Sequence, residues 1–291
     1  MFVHGNNLEQ KESHKTKYRD KESKRYLAEI RIRYDKWKTD NEVLVGPTKD
    51  HKEEDDDVLK KRVALLNAYK EFLDQQHYAE KFDSRSNLHS SVLEEFLYYL
   101  FRDLVGSISE NALIGKSHSF KDIFFRSTNY EDMVKKPNAL IEIKDHDFSI
   151  GCSITAEMLC RGEEAPEIHT WDIPAVAIEC KTYLDKTMLQ DVSTAAEQLK
   201  QKNPNAIYMV VAEWLKLTES VNLKKYKIDQ IYVLRKQKNT DREFRYNDDY
   251  VKNPIYDDVV IHLFKTVRNY LSSDWEGGIA HGLEKGYLIN Q

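Results

Sequence analysis

The sequence predicts a mixed α/β (α+β) fold, with a central mixed sheet flanked by helices behind a mostly helical N-terminal region. Three observations lead there. Residues 17–39 and 57–75 repeat apolar side chains at helical spacing with charges between them. From residue 139 the pattern changes to short apolar runs bounded by turn residues, the mark of strands. Amphipathic helices over 187–201 and 255–271 then alternate with further strands, which calls for a sheet with helices on its faces.

Each element has its own reason. In the first helix Tyr26, Leu27, Ile30, Tyr34 and Trp37 share a face. In the second, Leu59, Val63, Leu66, Tyr69, Phe72 and Leu73 form one stripe. Between them the acidic run from Asp50 to Asp57 reads as a solvated loop; it lacks the central Gly and terminal Glu of an EF-hand. Ser91 with Glu94 three residues later has the pattern of a capping box, and Leu93, Phe96, Leu97, Leu100, Phe101 and Leu104 follow as a wide apolar face. On that helix Glu94 falls at the margin of the face and Glu95 points further away. Ala139–Ile143 and Phe148–Ile154 read as strands or a bent hairpin, and 158–172 as an inserted loop. Ile173–Tyr183 reads as a buried strand. Thr187–Gln201 is a helix with Leu189, Val192, Ala195, Ala196 and Leu199 inward. Ala206–Ala212 and Ile228–Arg235 are strands, and Ile255–Leu271 is the last helix.

Composition limits the function. The 291 residues are 41% hydrophobic and 32% charged. No apolar run reaches the ~18–20 residues of a membrane span. The N-terminus lacks the apolar core of a signal peptide. Cys152, Cys160 and Cys180 suggest neither a disulfide framework nor a zinc site. A cytoplasmic protein without membrane association is expected. The net charge of -5 argues weakly against nucleic-acid binding. It hides two basic stretches, Lys11 to Lys38 and Lys216 to Arg245. Walker-type loops, dinucleotide fingerprints and nucleophile elbows are missing from the sequence. His89, His118, His146 and His169 show no metal-ligand spacing. His262 and His281 read as surface residues, Trp214 and Trp275 as packing or interface residues.

The chemistry concentrates in Ala175-Val176-Ala177-Ile178-Glu179-Cys180-Lys181. Alternate residues of a strand share a face, so Glu179 and Lys181 project together while Ile178 and Cys180 face apolar packing. A carboxylate and an ammonium at the end of an apolar strand are costly unless paired or bound to something. A salt-bridged strand end satisfies that demand as well as a functional site does. A phosphodiesterase metal site needs a second carboxylate. Lys144-Asp145-His146-Asp147-Phe148 runs as an acidic turn into an apolar strand, and either Asp147 or Asp145 could supply it.

Asp147, then Glu179-Cys180-Lys181 on an apolar strand, then an amphipathic helix and another strand, resembles the PD-(D/E)xK nuclease superfamily. That superfamily often offers a Glu near the metal from a preceding helix, the place of Glu94 here. His146 stands where the superfamily's Pro is expected, and the spacing from Asp147 to Glu179 is long. Leu93-Glu94-Glu95-Phe96, Lys144 to Gly151 and Ile178 to Asp185 further resemble subunits of BbvCI-like heterodimeric Type II restriction endonucleases, over roughly residues 88–213.

The resemblance implies a restriction-endonuclease-like sheet over 86–291, behind a helical region over 1–85 for DNA binding or dimerisation. It implies Mg2+ held by Asp147, Glu179 and the carbonyl of Cys180, with Lys181 acting on the attacking water and Glu94 in support. It also implies double-stranded DNA as substrate, a second related nuclease subunit, and a DNA methyltransferase in the same system. The expected target is a short asymmetric site of the CCTNAGC type, each subunit cutting one strand. A homodimeric repair or structure-specific nuclease, or a silent DNA-binding subunit, would share much of this sequence pattern.

Overall fold

The computed structural model describes residues 2–82, 87–238, 249–275 and 278–286. The N-terminal helices are α1 (Val3–Glu12), α2 (Lys21–Val43), α3 (Asp55–Leu73) and α4 (Gln76–Phe82), followed by the long α5 (Asn87–Ile108). Then come β1 (Leu113–Phe125), α6 (Tyr130–Lys135), β2 (Ala139–Met158), β3 (Glu167–Leu184) and α7 (Lys186–Lys202). β4 (Ile207–Leu215), β5 (Gln230–Val233), α8 (Asp257–Ser272) and α9 (Gly278–Lys285) complete the chain. No helix among the described residues is long and apolar enough to cross a membrane.

Helix ends follow local chemistry. α2 starts at Lys21, later than its charge pattern suggests, because the Asp20 side chain accepts from Ser23 N at 2.9 Å. Its end is closed by Arg62, which donates to Asn41 O at 3.1 Å, Leu44 O at 2.8 Å and Gly46 O at 3.1 Å. The acidic run is not all loop. Asp55, Asp56 and Asp57 form the first turn of α3, where carboxylates complement the helix dipole. Asp55 is buried against Arg268 at 2.6 Å, and Asp56 meets Lys265 at 2.9 Å, both from α8.

α5 begins at Asn87, so the expected capping box does not form. Ser91 lies one turn inside the helix and donates to Asn87 O. Glu95 is fully buried rather than outward. It accepts from His4 N (2.9 Å) and Gly5 N (3.1 Å), first-turn donors of α1, and from the hydroxyls of Tyr34 (2.9 Å) and Tyr99 (3.1 Å). A carboxylate placed there satisfies orphan N–H groups and offsets the cost of burial.

The sheet order is β1-β2-β3-β4-β5. β1, β2 and β3 are antiparallel neighbours, and β3, β4 and β5 run parallel. One apolar cluster packs Phe148, Val176, Ile178 and Val211 of one sheet face against α5, α3 and α8, and continues to Leu27 and Leu8 in α2 and α1. A second packs Ala177, Tyr208, Val210 and Ala212 of the other face against Leu189, Val192, Ala196 and Leu199 of α7.

The expected inserted loop is mostly strand. Met158 pairs with Glu167, and the ladder runs on to Cys152 with Ile173, so only 159–166 is connection. β2 does not run straight. Glu167, paired with its last residue, accepts from Asn138 N and Ala139 N at 3.0 Å each, beside its first residue. β1 closes onto β3 through Ser119 and Asp172, and the Asp172 carboxylate accepts from His118 N (2.7 Å) and Ser153 Oγ (2.6 Å). The three strands thus curl into a closed ribbon. Gly151 sits at the bulge that permits this, where an added Cβ would lie 2.1 Å from Ile173 O.

Candidate active site

The apolar half of β3 carries Glu179 and Lys181 on one face and buries Ile178 and Cys180 on the other. Phe148 pairs with Ile178, which sets Asp147 beside Glu179 on the neighbouring strand. The Lys181 ammonium lies 2.8 Å from Glu179 Oε2 and 3.1 Å from Asp147 Oδ2. Asp147 Oδ2 also accepts from Cys180 N at 2.9 Å. The other oxygen of Glu179, Oε1, accepts from the Tyr208 hydroxyl at 2.9 Å. His146 Nδ1 lies 3.2 Å from that hydroxyl and 3.5 Å from Glu179 Oε1. Tyr208 and His146 are buried.

These contacts set the charges. Burial pushes Glu179 up, but hydrogen bonds from His146, Lys181 and Tyr208 and the Lys181 charge outweigh it, so its carboxyl stays well below the usual range. Asp147 is pushed up, by burial first and then by the Glu179 charge, against the pull of Lys181 and Cys180 N–H. Burial works against the Lys181 ammonium, yet the two carboxylates raise it above its usual value and keep it charged. Burial raises the Cys180 thiol. Glu94, from α5, is raised to about 7, by burial first and then by Asp147, with Lys116 and Lys181 opposing. It lies within electrostatic reach of the pair but makes no hydrogen bond to it among the described residues.

The structure therefore brings Asp147, Glu179 and Lys181 into one cluster, with Cys180 as its backbone donor and Glu94 behind. Asp145 is elsewhere, 2.7 Å from His118 on an exposed rim. Three neighbours were not read from the sequence. Tyr208 is a phenol within an apolar strand, and a buried hydroxyl there demands a partner. His146 carried no signal beyond its place beside Asp147. Lys116 sits at the β1 bulge between Gly115 and Ser117, a position no local pattern marks.

The basic stretches are partly spoken for. In α2 Arg25, Lys36 and Lys38 pair with acids four residues on, and Arg31 meets Glu12 at 2.7 Å. Arg235 is buried against Glu213 at 3.2 Å, Lys238 pairs with Glu219, and Lys236 with Asp258. Lys224, Lys225 and Lys227 are exposed and make no ion pair with described residues. Arg242 and Arg245, and the side chain of His281, lie outside the described residues. Trp214 is buried, Trp275 stacks on Tyr270, and His262 is exposed.

Among the described residues, no group of three His, Cys, Asp or Glu forms a ready metal cluster. The donors at hand are two carboxylates converging on one cation, with a third carboxylate behind them. Such an all-oxygen set fits a hard divalent ion that keeps several waters, and differs from the thiolate and imidazole sets of zinc.

No curated protein sequence matches the chain. A solved structure described as the native BbvCI A2B2 tetramer at low resolution matches with a TM-score of 0.67. The match has 20% sequence identity and covers 94% of this chain and 97% of that one. The restriction-endonuclease-like sheet with its helical N-terminal region is thus a fold the two share. Residues 85–288, which include every element that carries the cluster, match the model of a family described as Bpu10I restriction endonuclease. With well over half its length matched, the chain belongs to the Bpu10I restriction endonuclease family.

Proposed function

We propose that this chain is one subunit of a Type II restriction endonuclease that hydrolyses one strand of double-stranded DNA at a short asymmetric site, using Mg2+. The observation that carries the reading is the convergence of the Asp147 and Glu179 carboxylates, from adjacent strands, on the Lys181 ammonium, at 3.1 and 2.8 Å. Asp147, Glu179 and the Cys180 carbonyl would hold the ion, with Glu94 contributing through water. A bound Mg2+ supplies Lewis-acid polarisation of the scissile phosphate and a more acidic water.

The chain's own groups do the rest. Tyr208 and His146 fix the Glu179 carboxylate and keep it anionic. Lys181, held as the ammonium, orients the attacking water by donating to its oxygen and offsets charge that builds on the phosphate. The water oxygen bonds to phosphorus, the bond from phosphorus to the 3′-oxygen breaks, and a proton passes to that oxygen. The products are 5′-phosphate and 3′-hydroxyl ends.

One such centre serves one scissile phosphate at a time, so cutting both strands needs two centres. The BbvCI structure is described as an A2B2 assembly, which favours a second, related subunit here and an asymmetric target of the CCTNAGC type. A DNA methyltransferase of the same specificity would protect host DNA in the cytoplasm. A silent DNA-binding subunit would have no need of the assembled triad.

The test is digestion of plasmid DNA by the chain, alone and with its related partner, in Mg2+ or EDTA, with the ends sequenced. Specific double-strand cutting by the pair, lost in EDTA, is expected, and Glu179→Ala in this chain should convert the pair to a nicking enzyme confined to one strand. Efficient cutting of a palindrome by this chain alone would instead identify a homodimeric nuclease.

A further inference from the structure

Lys116 stands where the β1–β2 ladder breaks step. Gly115 pairs with Ser149 and Ser117 with His146, so one residue of β1, Lys116, stands against two of β2, Asp147 and Phe148. The irregularity that sets Asp147 at the site thus sets Lys116 across from it.

The backbone on either side aims it. Gly115 holds φ +118°, a conformation that other residues rarely adopt, although a Cβ there would meet no atom within 4 Å. Glycine serves the turn of the chain at this point rather than close packing. Ser117 is buried, with its Oγ 2.8 Å from Ser149 Oγ. Alternation along the strand then turns Lys116 the other way, and it is exposed.

What surrounds Lys116 is acidic. Asp147 lies on the neighbouring strand, and Glu94 on α5 feels the Lys116 charge more strongly than that of Lys181. Yet Lys116 closes no ion pair and no side-chain hydrogen bond among the described residues, whereas Lys121 on the same strand is tied to Glu142. In the order β1-β2-β3, Lys116 and Lys181 flank Asp147 from opposite sides.

That placement answers a charge problem. Asp147, Glu179 and Glu94, when ionised, are balanced by Lys181 and one divalent ion, which leaves the centre neutral toward a phosphodiester anion. Lys116 makes it positive.

We propose that Lys116 is a second cationic contact of the catalytic centre, donating a hydrogen bond from its ammonium to a non-bridging oxygen of the phosphodiester being cut. The inference rests on the nuclease reading above and adds a substrate contact to the same site. Lys116 gives up no proton; it acts as a fixed charge that holds the phosphate from β1 while Lys181 serves the water from β3.

The test compares Lys116→Met and Lys116→Arg with Lys49→Met. Lys49 is an exposed lysine of the helical region that also pairs with no described acid, so its variant controls for net charge. Duplex DNA affinity without Mg2+ is read by anisotropy over a salt series. Single-turnover cleavage by the chain with its related partner is read at saturating DNA. Lys116→Met should flatten the log–log salt dependence by ~0.9. It should slow cleavage of this chain's strand at least ~10-fold. Its half-saturating Mg2+ concentration should not rise, because a cation and not a ligand has been removed. Lys116→Arg should regain both properties, and Lys49→Met should behave as wild type. A wild-type salt slope in Lys116→Met overturns the inference, as does an equal loss in Lys49→Met. A raised Mg2+ requirement with a lower melting temperature would make Lys116 structural and overturn it. A smaller slope with an unchanged cleavage rate would put Lys116 on the DNA path outside the catalytic centre and overturn it too. If neither wild type nor variants cut, the nuclease reading fails, while the metal-free slope still decides whether Lys116 holds phosphate.

Discussion

Tyr208 donates its hydroxyl proton to Glu179 Oε1 at 2.9 Å, while Lys181 holds Oε2 at 2.8 Å. Each oxygen of the carboxylate is fixed by a different strand. Tyr208→Phe keeps the ring and removes only the donor, loosening Oε1 of Glu179 while Lys181 still holds Oε2. Cleavage should fall ~10–100-fold, with a higher half-saturating Mg2+ concentration, as for other lost supports of a metal-binding carboxylate. Stability should fall by ~1–3 kcal/mol. Titrating activity against Mg2+ separates the two effects. A lower melting temperature with an unchanged Mg2+ requirement would reduce Tyr208 to a packing residue.

The two upstream acids now have different neighbours. Asp147→Ala should bring cleavage below detection in a folded chain, whereas Asp145→Ala, which frees only an exposed pair with His118, should cut normally. Lys181→Ala should retain DNA binding and lose ~10²–10³-fold in turnover, the effect of removing one electrostatic donor. Single-turnover cleavage of all three variants decides it. Normal turnover by Lys181→Ala would mean that the ammonium is only a strand-end partner of two acids.

Lys224, Lys225 and Lys227 are a cluster of exposed lysines in the C-terminal basic stretch that no described acid pairs. If they hold phosphates, changing all three to Ala should flatten the log–log salt dependence of DNA affinity by ~0.9 per lost contact. Specific and non-specific duplexes should weaken alike. Fluorescence anisotropy at several salt concentrations reads this, and a slope equal to that of wild type would remove the cluster from the DNA path.

His4 gives the fold an acid sensitivity. Its ring lies between Ser91 and Tyr69, and its pKa is lowered to about 3, by burial first and then by the charges of His89 and Lys70. The unfolded chain takes up this proton near 6.5, and the folded chain resists it. The stability due to neutral His4 is therefore complete above pH 6.5 and is lost as pH falls toward 3. By linkage the loss between pH 7 and pH 5 is about 2 kcal/mol. Denaturant unfolding at both values should show His4→Gln losing that much less than wild type. Equal losses would place the proton elsewhere.

How far the sequence could be read follows from which residues face the core. Glu179 and Lys181 were legible because Ala175 to Ile178 is uniformly apolar, so a charged alternation at its end stands out. α7 was legible for a similar reason: its inward Leu, Val and Ala repeat cleanly against polar neighbours. β1 was not, because its buried positions include Ser117 and Ser119 while Phe124 and Phe125 are exposed, the reverse of the usual pattern. The ribbon over 167–172 read as loop because strands that curl on themselves have little apolar interior to alternate against. α1 was missed because Leu8 is its one large aliphatic in the core and its other anchor is polar, through the Glu95 carboxylate. Glu95 was misplaced by the same pairing, since helix spacing cannot reveal a partner 90 residues away.

Gly151 stands four residues from Asp147 and touches no reacting group, yet its missing side chain lets the two backbones meet where β2 bends. A bulkier residue there would push Ile173 and Pro174 outward and carry the strand of Glu179 with them. A random-mutagenesis screen for chains that no longer cut DNA should therefore return position 151 alongside 147. The two classes would be told apart by their heat tolerance: Asp147 variants would melt like the parent, while Gly151 variants would fail first as folded proteins.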